Sequence, residues 1–364
     1  MTDKEKNRFD YLDVLRGTAA LAVCFQHILG YVYYSYDATH PLYKYIKFLI
    51  ADSVDWGRFG VVLFFLISGF IIPNSLKPGS SIYKFFISRI FRLYPAYWVT
   101  LLLIVISAPY LAEGQPNISL GQFLANITMA PKLFGSNEMS GVFWTLFIEI
   151  MFYGLCTFLF LLKCLDKPIV IASIALGLNL TTPICILLNK YFQLHLPVQF
   201  ILFHLSFLFF GNLLRLAFVK KDKIAAYSIS IFLILNILVV PIATGLFFLV
   251  PEAKDKGFVM FGPEAVAYAY ALAMGLFIVT VHYKSISNRF MISMGEVSYS
   301  LYLLHMLCFV LVTKFVHPET VPSFVVFIGA SAFLSYSLAK LSFNFIEYPA
   351  IDLGRKIIKS RGYS

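Results

Sequence analysis

The chain has 364 residues, of which 59% are hydrophobic and 13% charged, with a mean hydropathy of +0.79. Soluble domains carry about 25% charged residues, so this composition excludes a water-soluble enzyme and indicates a polytopic membrane protein. The formal charge of +10 then reflects basic residues kept on the cytosolic side, and no nucleic-acid partner is expected.

Apolar runs predict ten transmembrane helices, over 12–34, 57–76, 93–111, 142–162, 168–188, 198–218, 225–249, 265–282, 298–316 and 322–346. The expected fold is all-α integral membrane, a single membrane domain over 1–364 with no separate soluble domain. With both termini cytosolic, nineteen basic residues fall on inner segments and eight on outer ones, the asymmetry of the positive-inside rule. The first run is too long for a cleaved signal, and no small-residue cleavage pattern follows it. The five cysteines have no paired spacing and read as small buried hydrophobes, neither disulfide framework nor metal site.

The first run carries Asp13, Arg16 and His27. Eleven helical steps separate the arginine from the histidine, about three turns, so both fall on one face ~16 Å apart along the axis. Asp13 shares that face, three residues before Arg16. A charge inside a span costs ~2.5–3.5 kcal/mol, so such groups line a protein interior or a wet cavity. The plain alternatives are an arginine that snorkels to the headgroups and a histidine that bonds a neighbouring helix.

In the second span Ser68 and Gly69 fall near mid-membrane, where small residues let helices approach; space for a ligand tail is the further role considered. Arg89 and Arg92 are three apart at the start of the third span and project together, able to hold phosphates by paired hydrogen bonds or to anchor on anionic lipid. Pro95 fits the first turn of that span. The outer segment 112–140 is polar, and its middle, Ser119 to Phe134, has a helical period suited to the membrane surface. Three Asn-x-Ser/Thr triplets, at Asn117, Asn126 and Asn179, carry no weight alone.

The fourth span opens with Trp144, and Glu149 follows inside the apolar run, where it needs a partner. Counted from the outer ends, Glu149 lies ~12 Å deep and His27 ~10 Å deep, so a carboxylate and an imidazole share one level. That pairing orients the ring of a general base; a structural glutamate bonded elsewhere is the other reading. His305 counts to ~10 Å above the inner surface and reads as a packing or cofactor-contact residue. Ser298 resembles an N-cap, and Pro349 is expected to help end the last helix. Trp144 and Tyr34, with Tyr31, Tyr33 and Tyr36, offer rings to stack on sugars, although an interfacial belt looks the same.

Six motifs now stand in order: Arg16-x10-His27, Phe64-Phe-x-x-Ser-Gly-Phe70, Arg89-x-x-Arg-x-Tyr-Pro95, Trp144-x4-Glu149, Gly295-x-x-Ser-Tyr-Ser-x-Tyr-x-x-His305 and Glu347-x-Pro349. Together they resemble the membrane acyltransferase-3 family over nearly the whole chain. The resemblance implies a ten-helix fold in a bacterial inner membrane and transfer of an acyl group, commonly acetyl, from cytosolic acyl-CoA. The implied acceptor is a hydroxyl of a cell-surface or lipid-linked saccharide. It implies that Arg16 and His27 are essential and that Arg89 and Arg92 face the donor. Many members carry an acidic residue where this chain has Val62, and the hydrolase-like domain found after the last span of some relatives is absent from this sequence.

Acyl-CoA, a saccharide or glycolipid acceptor and membrane lipid are therefore the expected partners; no metal is expected, and a homodimer is compatible with the sequence. The expected path rests the donor phosphates on Arg89 and Arg92, with Ser68, Gly69 and His305 as further donor contacts. It carries the thioester past Arg16 to His27, with Glu149 holding the ring. The rival class is a transporter using Arg16, His27 and Glu149 as an ion or proton relay.

Overall fold

Helices make up most of the described chain, which in this computed structural model comprises residues 10–36, 39–111, 118–194, 200–248, 262–284 and 287–362. In order they are α1 (Asp10–Ser35), α2 (Tyr43–Lys47), α3 (Trp56–Ile71), α4 (Ile82–Leu111), α5 (Leu120–Ile127), α6 (Trp144–Leu161) and α7 (Pro168–Phe192). There follow α8 (Phe200–Phe218), α9 (Lys223–Phe248), α10 (Pro263–Tyr283), α11 (Arg289–Glu296), α12 (Ser298–Thr313), α13 (Val321–Ser342) and α14 (Tyr348–Ser360). Among the described residues nine helical stretches are long and apolar enough to cross a bilayer, ten when α11 and α12 count as one span broken at Val297. The chain is an all-α integral membrane protein.

It divides into two compact units, the first formed by 1–75 with 151–295 and the second by 76–150 with 296–364. In the first unit α8 is the centre: from Phe203 to Leu216 every residue is buried, as expected of a helix apolar on all sides. It packs against α3, α7 and α9, and α3 in turn packs on α1 and α10. Glycines set two of these crossings. A Cβ on Gly69 of α3 would collide with the Leu208 carbonyl of α8, and one on Gly211 would lie 2.5 Å from the Leu66 oxygen. Where α11 meets α1, a Cβ on Gly17 would lie 2.5 Å from the Met291 oxygen, and one on Gly295 would strike the Asp13 carbonyl. Without water to drive association, such backbone-to-backbone contact is what holds membrane helices together.

In the second unit α4 packs against α5, α12, the π-helical turn Phe343–Glu347 and α14. Several expectations are corrected here. Helix α4 begins at Ile82 rather than 93 and runs through Pro95, so the proline sits in the helix interior and Arg89 and Arg92 precede it on the same helix. Val297, not Ser298, occupies the N-cap of α12, and Ser298 is the first helical residue. Pro349 does not end the last helix. It starts α14, after the π turn has carried the chain onward from α13.

The segment after α4 does not lie on the surface; it folds back along that helix. Tyr94 donates to the Thr128 carbonyl (3.2 Å), Tyr97 to Asn126 (2.8 Å) and Trp98 to Ile127 (3.1 Å). These donors precede Leu111 by 13 to 17 residues, so the returning chain has retreated ~20–25 Å down the helix axis. Its outward side chains, Leu120, Leu124, Leu133 and Phe134, are exposed and apolar. Its inward side is wired through Asn126, whose Nδ2 donates to the Gln122 and Asn137 carbonyls while its Oδ1 accepts from Met139 N–H. Non-helical backbone at membrane depth requires such internal satisfaction. The same bonds leave Asn126 buried and fully engaged, which rules it out as a glycan acceptor. Asn179, bonded to Ser206 and Asn236 in the first unit, is equally enclosed, and Asn117 lies outside the described residues.

Candidate active site

Helix α1 runs unbroken over its 26 residues, so Arg16 and His27 keep the common face expected of them. Arg16 donates to Asp13 at 2.7 Å, and the pair is partly accessible at 23% and 28%. The α1–α11 glycine crossing at Gly17 sits beside this ion pair and fixes its backbone. The level of His27 is set by its neighbour: Gln26 accepts from the first helical N–H of α3, that of Trp56, at 3.0 Å and reaches the Ile50 carbonyl at 3.4 Å. Asp55 caps α3 by accepting from Arg58 N–H at 2.9 Å.

Accessibility separates the histidines set deep in described helices. His204 and His305 are sealed at 0% exposure, whereas His27 retains part of its surface. His204 is a structural pair: its Nδ1 lies 2.7 Å from the Phe200 carbonyl, which can only accept, so Nδ1 carries the proton and Nε2 accepts from Tyr270 at 3.0 Å. This polar link between α8 and α10 was not anticipated from the sequence. The signal was available, since a histidine inside an apolar run implies a partner.

Of the other first-unit residues, Gly69 is used by the α8 crossing, as helix packing requires, and Ser68 is half-buried beside it. Tyr34 is 53% exposed and stacks edge-on against Tyr33, which lies parallel to Tyr43 of α2. In the second unit Arg89 and Arg92 are both half-buried on α4, with the Arg89 guanidinium 5.5 Å from the Phe85 ring centre. Trp144 opens α6 and Glu149 follows, half-buried, on the face that carries Thr145. Thr145 shares a 2.8 Å hydrogen bond with Tyr302 of α12, and Tyr302 also donates to the Val142 carbonyl at 2.9 Å. Because the chain before α6 has already returned along α4, α6 does not start at the outer face, and the depth counted for Glu149 from an outer end does not hold. Tyr302 stands level with the first turn of α6, and His305 follows one turn further along α12. Its Nδ1 is 3.2 Å from the Leu301 carbonyl.

All five cysteines are free thiols. Among the described residues no three His, Cys, Asp or Glu side chains are grouped to hold a metal ion.

The described residues define an integral membrane protein whose first helix carries a partly accessible Asp13–Arg16 pair and a half-buried histidine on one face. The chain belongs to the acyltransferase-3 family, whose profile, described as an acyltransferase domain, matches residues 9–340. It is 30% identical over 168 residues to nodulation protein 10 of Rhizobium leguminosarum bv. viciae, covering 41% of this chain and 42% of that one. It is 22% identical over 309 residues to "Putative acetyltransferase ORF330" of Acidianus two-tailed virus, covering 84% and 85%. The first match thus spans less than half of that relative's length. No solved structure matches.

Proposed function

We propose that this membrane acyltransferase moves an acyl group, acetyl in the first instance, from cytosolic acyl-CoA to a hydroxyl of a cell-surface or lipid-linked saccharide. The observation that supports the reading is the half-buried His27 set three turns from the Asp13-paired Arg16 on one face of α1. The donor phosphates rest on Arg89 and Arg92, and Arg16 stands where the pantetheine arm enters. His27 takes the proton from the acceptor hydroxyl, whose oxygen attacks the thioester carbonyl. The carbon–sulfur bond breaks, and the departing thiolate recovers that proton from the imidazolium. Glu149 orients the ring, and Trp144 and Tyr34 stack on the acceptor sugar.

The test supplies labelled acetyl-CoA and candidate glycans to the purified protein and locates the label by mass spectrometry. Replacement His27→Ala should remove transfer by at least a hundredfold, the scale of a lost general base, while the protein still inserts and folds. Full transfer by that variant would refute the role of His27.

A further inference from the structure

The buried carboxylate of Glu347 has no part in the mechanism above, yet it is 2% exposed inside a membrane-spanning segment. It ends the π-helical turn Phe343–Glu347, closed by Tyr348 N–H bonding to the Phe343 carbonyl. In an α-helix five steps of about 100° would leave residues 342 and 347 on opposed faces; the wider π turn brings them nearly over one another. Both consequently reach one residue of α12. Ser300 Oγ donates to Glu347 Oε2 at 2.8 Å and lies 3.1 Å from Ser342 Oγ. Turns of this kind concentrate at functional sites, and here the turn aims a charge.

The π turn, α12 and α14 grip α4 around its arginines. The π turn packs on α4. Tyr299, next to Ser300, donates to the Leu93 carbonyl at 2.8 Å, one residue past Arg92. Gly354 of α14 rests on the Phe91 ring, between Arg89 and Arg92, and the Arg361 guanidinium covers Tyr83 at 5.0 Å. A buried anion against a helix bearing two cations costs least when it compensates them.

We propose that Glu347 is a positioning residue, a fixed counter-charge that holds the Arg89–Arg92 pair in the arrangement that receives the phosphates of the donor. The proposal rests on the assignment of those arginines to donor binding. A carboxylate clamped by Ser300 restrains the guanidinium groups while leaving the second unit intact when the charge alone is removed, because Glu347→Gln keeps an oxygen for Ser300.

Binding of coenzyme A to the full-length protein in nanodiscs, measured by calorimetry, needs no acceptor and tests this directly. Glu347→Gln should weaken coenzyme A about tenfold, and Ser300→Ala about threefold in the same direction. In Arg92→Gln the further change Glu347→Gln should weaken binding only about threefold, less than its tenfold effect alone, since one of the two groups it positions is gone. If Glu347→Gln leaves affinity unchanged, or multiplies fully with Arg92→Gln, Glu347 is a packing residue and the proposal fails. Should Glu347→Gln not fold, an unchanged affinity in Ser300→Ala overturns the proposal equally. Absence of coenzyme A binding by the unsubstituted protein would instead remove the donor assignment itself.

Discussion

Asp166, in the loop between α6 and α7, accepts from Arg215 at 2.6 Å and also pairs with Lys220. Arg215 is 2% exposed and donates from Nε to Asn212 at 2.8 Å, so the loop is latched to the end of α8 by an enclosed cation. Burial pushes the Asp166 carboxyl up, but hydrogen bonds from Lys220 and Arg215 outweigh it and hold the group below its ordinary value of 3.8. Its contribution to stability is therefore complete above that value and disappears as pH falls through the lower folded one. Thermal unfolding should show Asp166→Asn less stable by about 1–3 kcal/mol at pH 7, because Arg215 then stays buried without its counter-ion. In acid, below about pH 4, the difference should narrow as the native carboxyl is neutralised. Equal melting at pH 7 would show the latch to be dispensable. Local pairs of this type are readable in a sequence and distant ones are not. Asp13 and Arg16, three apart, announced themselves; Asp166 and Arg215, 49 apart, left only a loop carboxylate and an arginine near the end of a span.

At the scale of the element, apolar length announced the nine long apolar stretches of the described residues, ten with the bent α11–α12 pair, since a bilayer imposes a minimum that few other constraints imitate. Breaks and continuations were not legible. Pro95 signalled a helix start and Pro349 a helix end, but α4 passes through the first and the π turn leads into a further helix that opens at the second. Packing overrides such local preferences. The glycine crossings make a sharper claim. Gly69→Ala drives a methyl into the Leu208 carbonyl and should destabilise by about 1–3 kcal/mol, whereas Gly154→Ala in α6, where nothing lies within 4 Å, should be neutral or stabilising by up to about 1 kcal/mol. Melting of the two variants in one detergent decides it; equal shifts would show the α3–α8 crossing to be loose. Tyr97→Phe should likewise cost about 0.5–1.5 kcal/mol by removing one of the two donors to the buried Asn126 carbonyl, Met129 N–H being the other, and amide exchange over 119–140 should quicken before any other segment. Unchanged protection there would mean that Tyr94 and Trp98 suffice.

For the molecule as a whole, composition fixed the class and the ordered motifs fixed the family, while the division into two units had no sequence signal because each unit is assembled from separated stretches of chain. Orientation rests on the asymmetry of basic residues, some of which (Lys4, Lys6, Arg8, Lys254 and Lys256) lie outside the described residues. A fluorescent reporter fused after Ser364 should mature in the cytosol, and an alkaline phosphatase fused there should stay inactive; the reverse result would invert the topology. The chain that turns back beside α4 also constrains how the protein is made. Greasy outside and tethered inside, residues 119–140 lack the ring donors to the Asn126, Ile127 and Thr128 carbonyls until Tyr94, Tyr97 and Trp98 stand in the bilayer, and have no lipid for Leu124 or Phe134 until then. They settle late, after the helices on both sides have left the insertion machinery, and a membrane too thin for α4 would strand them before any other part.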